Sequence, residues 1–129
     1  MLLSRNPKKF ILNFPEIASN KALKIIKGDI RNFKYPKGQV DYVIHAATDV
    51  VNLNSANETW DVITNGTKNM LKFCNLKNVS HVLILSSGAV YGKVPLNLKF
   101  ISENYFGSFE YNKNSAYGLG KLISEWMGT

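Results

Sequence analysis

The sequence is poor in cysteine and in long apolar runs, and each shortage excludes a class of protein. Its 129 residues include one cysteine, Cys74, which excludes an internal disulfide and leaves no set of thiols for a zinc site, so no metal site is predicted. No apolar run approaches the roughly 20 residues of a membrane-spanning helix. The residues that follow Met1 do not resemble a signal peptide. We therefore predict a cytoplasmic protein without a membrane partner.

Acidic residues are also scarce, since 9 Asp and Glu face 16 Lys and Arg and the formal net charge is +7. The lysines are scattered rather than gathered into a basic tract, and no nucleic-acid-binding motif accompanies them. A solvated basic surface is therefore favoured over a nucleic-acid interface. With 45% hydrophobic and 19% charged residues, the composition is typical of one globular domain.

Strand-like and helix-like segments alternate along the chain. Residues 23–27, 40–47 and 81–85 have the apolar character of strands, and the second of them is apolar enough to predict a strand buried on both faces. Apolar residues at three- and four-residue spacing predict a helix from about Ser55 to Asn75, and a last helix begins near Ser115. Strands separated by helices predict an α/β fold with a parallel sheet and right-handed crossovers.

Asp29, His45 and Ser87 stand at or just beyond the ends of these three strands. Ligands of parallel sheets gather at the carboxyl ends of the strands, where the loops meet. We therefore expect these three positions, distant in sequence, to converge on one edge of the sheet.

Tyr117 and Lys121 are four residues apart and thus lie on one helical face, one turn from each other. A tyrosine with a pKa near ~10 is a poor acid–base catalyst at neutral pH, but a neighbouring cation favours the phenolate. Alone, such a pair is more typical of a surface helix, and a serine after a strand is usually part of a turn. The order of apolar strand, Ser87, loop and Tyr-x-x-x-Lys favours a catalytic group.

Residues 41–47 (DYVIHAA), 82–92 (VLILSSGAVYG) and 117–121 (YGLGK) resemble successive motifs of the extended short-chain dehydrogenase/reductase family, the NAD-dependent epimerase/dehydratase group. The resemblance covers nearly the whole chain. It implies a Rossmann-like three-layer α/β fold, of which residues 1–129 would form a partial NAD(P)-binding domain that includes the catalytic helix. It also implies hydride transfer at a carbon of a nucleotide sugar.

The resemblance assigns roles to individual positions. Tyr117 would be the acid–base residue, Ser87 its hydrogen-bonding partner on the substrate, and Lys121 a contact to the nicotinamide ribose that also favours the phenolate. The resemblance also implies that Asp29 and Ile30 contact the adenine of the cofactor. The loop formed by His45, Ala46 and Ala47 would lie along the dinucleotide. The imidazole of His45 is not expected to act as an acid or base.

The chain departs from the family pattern at its first glycine, Gly28. No strand followed by a glycine-rich turn precedes it to hold the cofactor's pyrophosphate at a helix N-terminus. Residues 1–5 resemble the end of the family's second strand. We therefore expect a fragment that lacks the first βα unit and the C-terminal substrate region, with weak or no cofactor binding and no turnover.

The two residues after Ser87, Gly88 and Ala89, have no acidic side chain, and this limits the reactions that the family resemblance implies. Sugar-nucleotide 4,6-dehydratases of the family carry an acidic pair directly after the catalytic hydroxyl residue, and the related decarboxylases usually keep a glutamate there. A 4-epimerase or keto-sugar reductase is therefore favoured. A 4,6-dehydratase and a non-catalytic dinucleotide-binding scaffold stay as alternatives.

Cofactor choice and assembly are less closely specified. Relatives that prefer NAD generally have an acidic residue after the second strand, where this chain has Ser4 and Arg5. Arg5 could meet the 2′-phosphate of NADP or be an exposed loop residue. NAD is preferred because epimerisation retains its cofactor, and NADP stays an alternative. Relatives also place Asn where this chain has Ile63, and many of them form homodimers through two long helices, which is a further expectation here.

Overall fold

The computed structural model describes residues 1–48, 55–110 and 112–129. Within these residues the chain forms four strands and four α-helices, with two short 3₁₀ segments before and at the start of the last helix. The strands are β1 (Leu2–Ser4), β2 (Ile25–Lys27), β3 (Tyr42–His45) and β4 (His81–Ile84). The α-helices are α1 (Pro7–Asn13), α2 (Pro15–Ala18), α3 (Ala56–Lys77) and α4 (Ala116–Met127), and the 3₁₀ segments are Gly88–Tyr91 and Lys113–Ser115.

All the strand pairs in the described residues are parallel, which confirms the predicted α/β class. β1 pairs with β2, with Leu2 opposite Ile25, and β3 pairs with β4, with Tyr42 opposite His81. Helices lie between the strands of each pair along the chain, so each pair belongs to a βαβ unit. Within the described part of the chain these are two separate two-stranded sheets.

An apolar cavity of about 360 Å³ lies between the two sheets. Leu3 of β1 and Val43 and Ile44 of β3 line it, with Phe73 of α3. Backbone groups along a strand point alternately to its two edges, and Leu2 bonds through its N–H to Lys24 on the β2 side. Leu3 therefore directs its backbone groups away from β2.

Helix α3 agrees with the predicted segment and extends it to Lys77. Its N-terminus is capped by the side chain of Ser55, which accepts a hydrogen bond from Glu58 N–H. The helix ends at Asn78, which adopts the left-handed conformation with φ 51° that is common after a helix C-terminus. Its buried stripe recurs at three- and four-residue spacing and comprises Thr59, Val62, Ile63, Gly66, Thr67, Met70, Phe73 and Cys74.

The core is built on this stripe. Met70, Phe73 and Cys74 are buried together, and Val43 of β3 and Ile84 of β4 pack against them. Burial raises the pKa of the Cys74 thiol, so this cysteine is the buried structural residue that its place in the helical pattern indicates.

One face of the β3–β4 sheet is exposed, so the prediction of a strand buried on both faces is wrong. Val43 and Ile84 face the helices, whereas Tyr42, Ile44 and Leu83 are 73%, 68% and 54% exposed. Apolar composition predicted burial, but burial on both faces needs a layer on each side, and α3 and α4 pack against each other on one side. None of the described helices is long and apolar enough to cross a membrane.

Candidate active site

Helix α4 carries Tyr117 and Lys121 one turn apart. Lys121 is 6% exposed, and its ammonium nitrogen lies 6.0 Å from the centroid of the Tyr117 ring. The same Nζ donates a hydrogen bond of 2.7 Å to the carbonyl oxygen of Leu85, just beyond the end of β4. Burial lowers the pKa of Lys121. The lysine is therefore anchored at the carboxyl end of β4 beside the tyrosine.

Ser87 follows Leu85 by two residues and caps the 3₁₀ segment Gly88–Tyr91. Its Oγ accepts a hydrogen bond from Ala89 N–H at 3.2 Å. A hydroxyl that accepts in this way keeps its own proton for another acceptor. Ser87 is half-buried, so that proton is still accessible to a further acceptor.

Gly118 permits α4 to pack closely on the 3₁₀ segment that Ser87 caps. A Cβ atom at Gly118 would lie 2.3 Å from the carbonyl oxygen of Ala89 and 2.9 Å from the Phe109 ring. Only a residue without a side chain permits α4 to pack this closely on the 3₁₀ segment. Since Tyr117 precedes Gly118 and Ser87 caps that segment, the close approach brings the elements that carry both residues together.

A second cavity, of about 200 Å³, lies at the carboxyl ends of β1, β2 and β3. It collects the residues that the sequence predicts at the adenine end of a dinucleotide, together with part of the loop that follows β3. The lining is Leu3, Arg5, Gly28, Asp29, Ile30, Ala46, Ala47, Thr48 and Val62. Of the three positions expected to converge at one sheet edge, Asp29 lines this cavity, whereas His45 and Ser87 are not among its lining residues.

The carboxylate of Asp29 is held by Arg31. Oδ1 accepts from the backbone N–H and the Nε of Arg31, each at 2.9 Å, and Oδ2 accepts from Nη2 at 2.8 Å. Arg31 also donates through Nη1 to Asp61 at 2.7 Å. The hydrogen bonds from Arg31 lower the pKa of both carboxyl groups, and Arg5 adds a smaller favourable charge at Asp29. Asp29 is therefore ionised and fixed in orientation beside the cavity.

His45 is turned inward rather than toward this cavity. It is 6% exposed, and its Nε2 lies 3.0 Å from the hydroxyl oxygen of Thr67. Burial, with a smaller contribution from the charge of Lys121, lowers the pKa of His45 to about 4. The imidazole is thus neutral at physiological pH, and a cofactor contact at this position would have to come from the backbone.

Three residues of the site were missed from the sequence: Arg31, Thr67 and Ser124. Ser124 lies three residues after Lys121 and thus on the same helical face, and Thr67 belongs to the buried stripe of α3. A small polar residue in an otherwise apolar buried stripe is the signal that could have identified both. The Asp29–Arg31 pair had no such signal, because adjacent opposite charges are common on exposed loops.

Ile63, which replaces the Asn of many relatives, packs on α4. A Cβ atom at Gly120 would lie 3.2 Å from Ile63 Cδ1, so the two helices approach closely at this point. Asn65 donates to Asp61 on the exposed side of α3. It therefore does not take the place of the relatives' Asn.

The side chains present fit the two ends of a dinucleotide. A fixed carboxylate and strand-end backbone border the small cavity, and an ammonium and a phenol lie at the end of β4. The fit does not extend to the pyrophosphate in this chain, because no glycine precedes Gly28 to form a glycine-rich turn after β1 or before it. Among the described residues, no group of three or more His, Cys, Asp or Glu could hold a metal ion.

Comparison with solved structures gives matches over nearly the whole chain. The UDP-Glc/GlcNAc 4-epimerase of Campylobacter jejuni matches with a TM-score of 0.71 and 20% identity, over 97% of this chain and 39% of its own. The UDP-glucose 4-epimerase of Bifidobacterium longum, solved with NAD⁺ and UDP, matches with a TM-score of 0.68 and 26% identity, over 95% of this chain and 37% of its own. RMD of Pseudomonas aeruginosa, solved with NADPH, matches with a TM-score of 0.61 and 21% identity, over 92% of this chain and 43% of its own.

These structures show the Rossmann-like fold that the sequence predicts, and this chain spans about two fifths of their length. No curated protein sequence matches the chain. The sequence profile of the NAD dependent epimerase/dehydratase family matches residues 5–129. With its parallel βαβ units and its tyrosine–lysine helix, the chain belongs to the NAD-dependent epimerase/dehydratase family.

Proposed function

We propose that this chain is the catalytic segment of an NAD(P)-dependent nucleotide-sugar 4-epimerase or keto-sugar reductase. The observation that carries the proposal is the position of the buried Lys121. Its ammonium binds the Leu85 carbonyl at the end of β4, two residues before Ser87, and lies beside the Tyr117 ring. Membership of the family supports it, as does the structural similarity to two UDP-sugar 4-epimerases.

The nicotinamide cofactor would supply the hydride acceptor or donor for a sugar carbon. Tyr117 would remove the proton of the adjoining sugar hydroxyl during oxidation and return it during reduction. The ammonium of Lys121 lies 6.0 Å from the centroid of the Tyr117 ring. Ser87 would donate its free proton to the same sugar oxygen and stabilise the charge that develops there. Gly88 and Ala89, which follow Ser87, carry no acid for the elimination of water.

The cofactor would be held at both ends by residues of this chain. Asp29 and the backbone of Ile30 would contact the adenine, Ala46 and Ala47 would lie along the dinucleotide, and Lys121 would reach the nicotinamide ribose. We propose NAD as the cofactor, supported by the NAD⁺ complex of the Bifidobacterium longum epimerase. Arg5 beside the small cavity keeps NADP as the alternative, and the Pseudomonas aeruginosa relative was solved with NADPH.

A segment exchange tests the proposal. This chain replaces the matching segment of the Bifidobacterium longum epimerase, and the interconversion of UDP-glucose and UDP-galactose is measured. We expect turnover, and we expect Tyr117→Phe to lower kcat by about 10²- to 10⁴-fold because the acid–base group is removed. Tyr105→Phe is the matched control, since its ring contacts Tyr91 in the loop before α4.

Three results would contradict the proposal. A chimera that is folded by circular dichroism but inactive argues against a catalytic segment. Full activity in the Tyr117→Phe chimera would favour the scaffold alternative. Release of a 4-keto-6-deoxy sugar nucleotide would instead favour the 4,6-dehydratase.

We also propose that the complete protein is a cytoplasmic homodimer, as expected from the sequence. Support for an interface comes from large apolar side chains that α4 leaves accessible, Leu122 at 40% and Trp126 at 75% exposed. Sedimentation equilibrium of this chain and of Trp126→Glu tests it: we expect a dimer that the charged variant dissociates, and a monomer in both samples would contradict it.

A further inference from the structure

Three buried polar side chains join β3, α3 and α4 behind the candidate active site. Thr67 is 0%, Ser124 2% and His45 6% exposed. Thr67 Oγ1 lies 2.9 Å from Ser124 Oγ and 3.0 Å from His45 Nε2. No described buried side-chain polar atom lacks a hydrogen-bond partner. The three residues therefore form a closed network between elements that are distant in sequence.

The direction of the hydrogen bonds follows from counting protons. Thr67 donates to the carbonyl of Ile63 at 2.7 Å, and Ser124 donates to the carbonyl of Gly120 at 3.0 Å. Thr67 thus gives its one proton to a carbonyl, which can only accept, so the proton in the 2.9 Å contact between Thr67 and Ser124 is that of Ser124, shared with the Gly120 carbonyl. Thr67 Oγ1 is left as an acceptor, so the neutral imidazole of His45 holds its proton on Nε2 and donates it to Thr67.

The geometry points to Thr67 and Ser124 as positioning residues for Lys121. Ser124 lies one turn beyond Lys121 on the same face of α4, and its hydroxyl meets Thr67 of α3. This contact fixes the rotation of α4 about its axis and its position along α3. With the helix so held, the side chain of Lys121 reaches the Leu85 carbonyl at 2.7 Å. The role of Lys121 itself rests on the proposed function.

The other contacts between α3 and α4 restrain the orientation of α4 only weakly. Gly120 faces Ile63, so at this point α4 presents backbone to an apolar side chain. Apolar packing is non-directional, whereas a buried hydrogen bond requires a specific distance and angle. Because Thr67 and Ser124 are shielded from water, loss of either hydroxyl leaves no solvent molecule to replace the contact. The hydroxyl pair therefore sets the register.

The titration of Lys121 tests the proposal without requiring turnover. The protein is labelled with [¹³Cε]lysine, the Lys121 signal is assigned by its absence in Lys121→Met, and its titration is followed by NMR. We expect Lys121 to titrate below the other lysines in the unmodified chain. In Ser124→Ala and in Thr67→Val the amine should become more accessible to water, and its midpoint should rise by about half a pH unit or more.

Two substitutions on α3 are the controls. Thr64 makes the same bond to the preceding helical turn, to the Trp60 carbonyl at 2.8 Å, but on the exposed side. Thr64→Val therefore removes an equivalent hydroxyl and should leave the Lys121 midpoint unchanged within about 0.2 pH unit. Thr67→Ser keeps the buried hydroxyl and should also leave the Lys121 midpoint unchanged.

Circular dichroism establishes that each variant is folded, and Ser124→Ala carries the test if Thr67→Val does not fold. The proposal is overturned if Lys121 titrates with the other lysines in the unmodified chain. It is equally overturned if its midpoint is unmoved in folded Ser124→Ala, or if Thr64→Val moves it as far as the buried substitutions do. None of these outcomes depends on the activity of the segment-exchange chimera, so the two proposals can fail separately.

Discussion

His45 offers a direct measurement of how tightly this site is packed. The imidazole is 6% exposed, donates to Thr67, and lies near the charge of Lys121. Its pKa falls from an ordinary 6.5 to about 4 in the folded protein. Between these two pH values the unfolded chain binds a proton at this position that the folded chain does not.

The sign of the effect on stability follows from this difference. The contribution of neutral His45 is complete above pH 6.5, and the free energy of unfolding decreases as the pH falls from 6.5 toward about 4, below which both states are protonated. A shift of this size corresponds to about 3 kcal/mol, at about 1.4 kcal/mol per pKa unit. That is a large share of the stability of a domain this small.

Two experiments measure the pKa of His45 and its effect on the free energy of unfolding. The chain has two histidines, and the other, His81, is exposed and stacks on Tyr42, so ¹H NMR can follow both rings in one sample. Urea unfolding from pH 7.5 to 4 is then compared with His45→Gln, whose amide can still donate to Thr67 but does not titrate. Contributions from the carboxylates cancel in this comparison.

The stability difference between the two proteins should change by about 3 kcal/mol across the window, in favour of the glutamine variant at low pH. A His45 signal that titrates near pH 6.5, or a stability difference that does not vary with pH, would refute the buried neutral imidazole.

Three other predictions follow from single contacts. Gly118→Ala should destabilise the fold by about 1–3 kcal/mol because its Cβ would meet the Ala89 carbonyl oxygen. Gly88→Ala is the control and should be near neutral, because no atom lies within 4 Å of its Cβ position. Equal midpoints of urea unfolding for the two variants would contradict the close approach of α4. Arg31→Met should raise the pKa of Asp29 in carboxyl ¹³C NMR, and Lys34→Met should not; an unmoved Asp29 signal would show that Arg31 does not hold the carboxylate. Calorimetry of this chain with NADH should give no saturable isotherm, because no glycine-rich turn precedes Gly28, and a clear isotherm would count against that reasoning.

The elements of the fold were predictable from local patterns. The spacing of apolar residues predicted α3 to within two residues at its C-terminus, and the apolar run 81–85 predicted β4. Both signals depend on the periodicity of a single element, which the chain carries in its own sequence. Helices α1 and α2 were missed because they are short and have no buried residues to set a period.

The composition of the candidate site was also predictable in large part. The order of an apolar strand, Ser87 and Tyr117-x-x-x-Lys121 indicated the catalytic group, and four-residue spacing alone placed the last two on one helical face. The strand-end rule predicted that Asp29, His45 and Ser87 would meet at one sheet edge, but of these only Asp29 lines the small cavity. Their roles in catalysis and cofactor binding stay predictions.

Tertiary structure alone decided how these residues are held. Thr67 and Ser124 are 57 positions apart, yet their hydroxyls touch, and no local pattern specifies that contact. His45, expected beside the cofactor, turns inward because Thr67 accepts its proton, and the apolar strands β3 and β4 leave one face open because the described helices α3 and α4 pack on the other. Periodicity specifies which face of an element is apolar, but only the packed chain determines which neighbour that face meets.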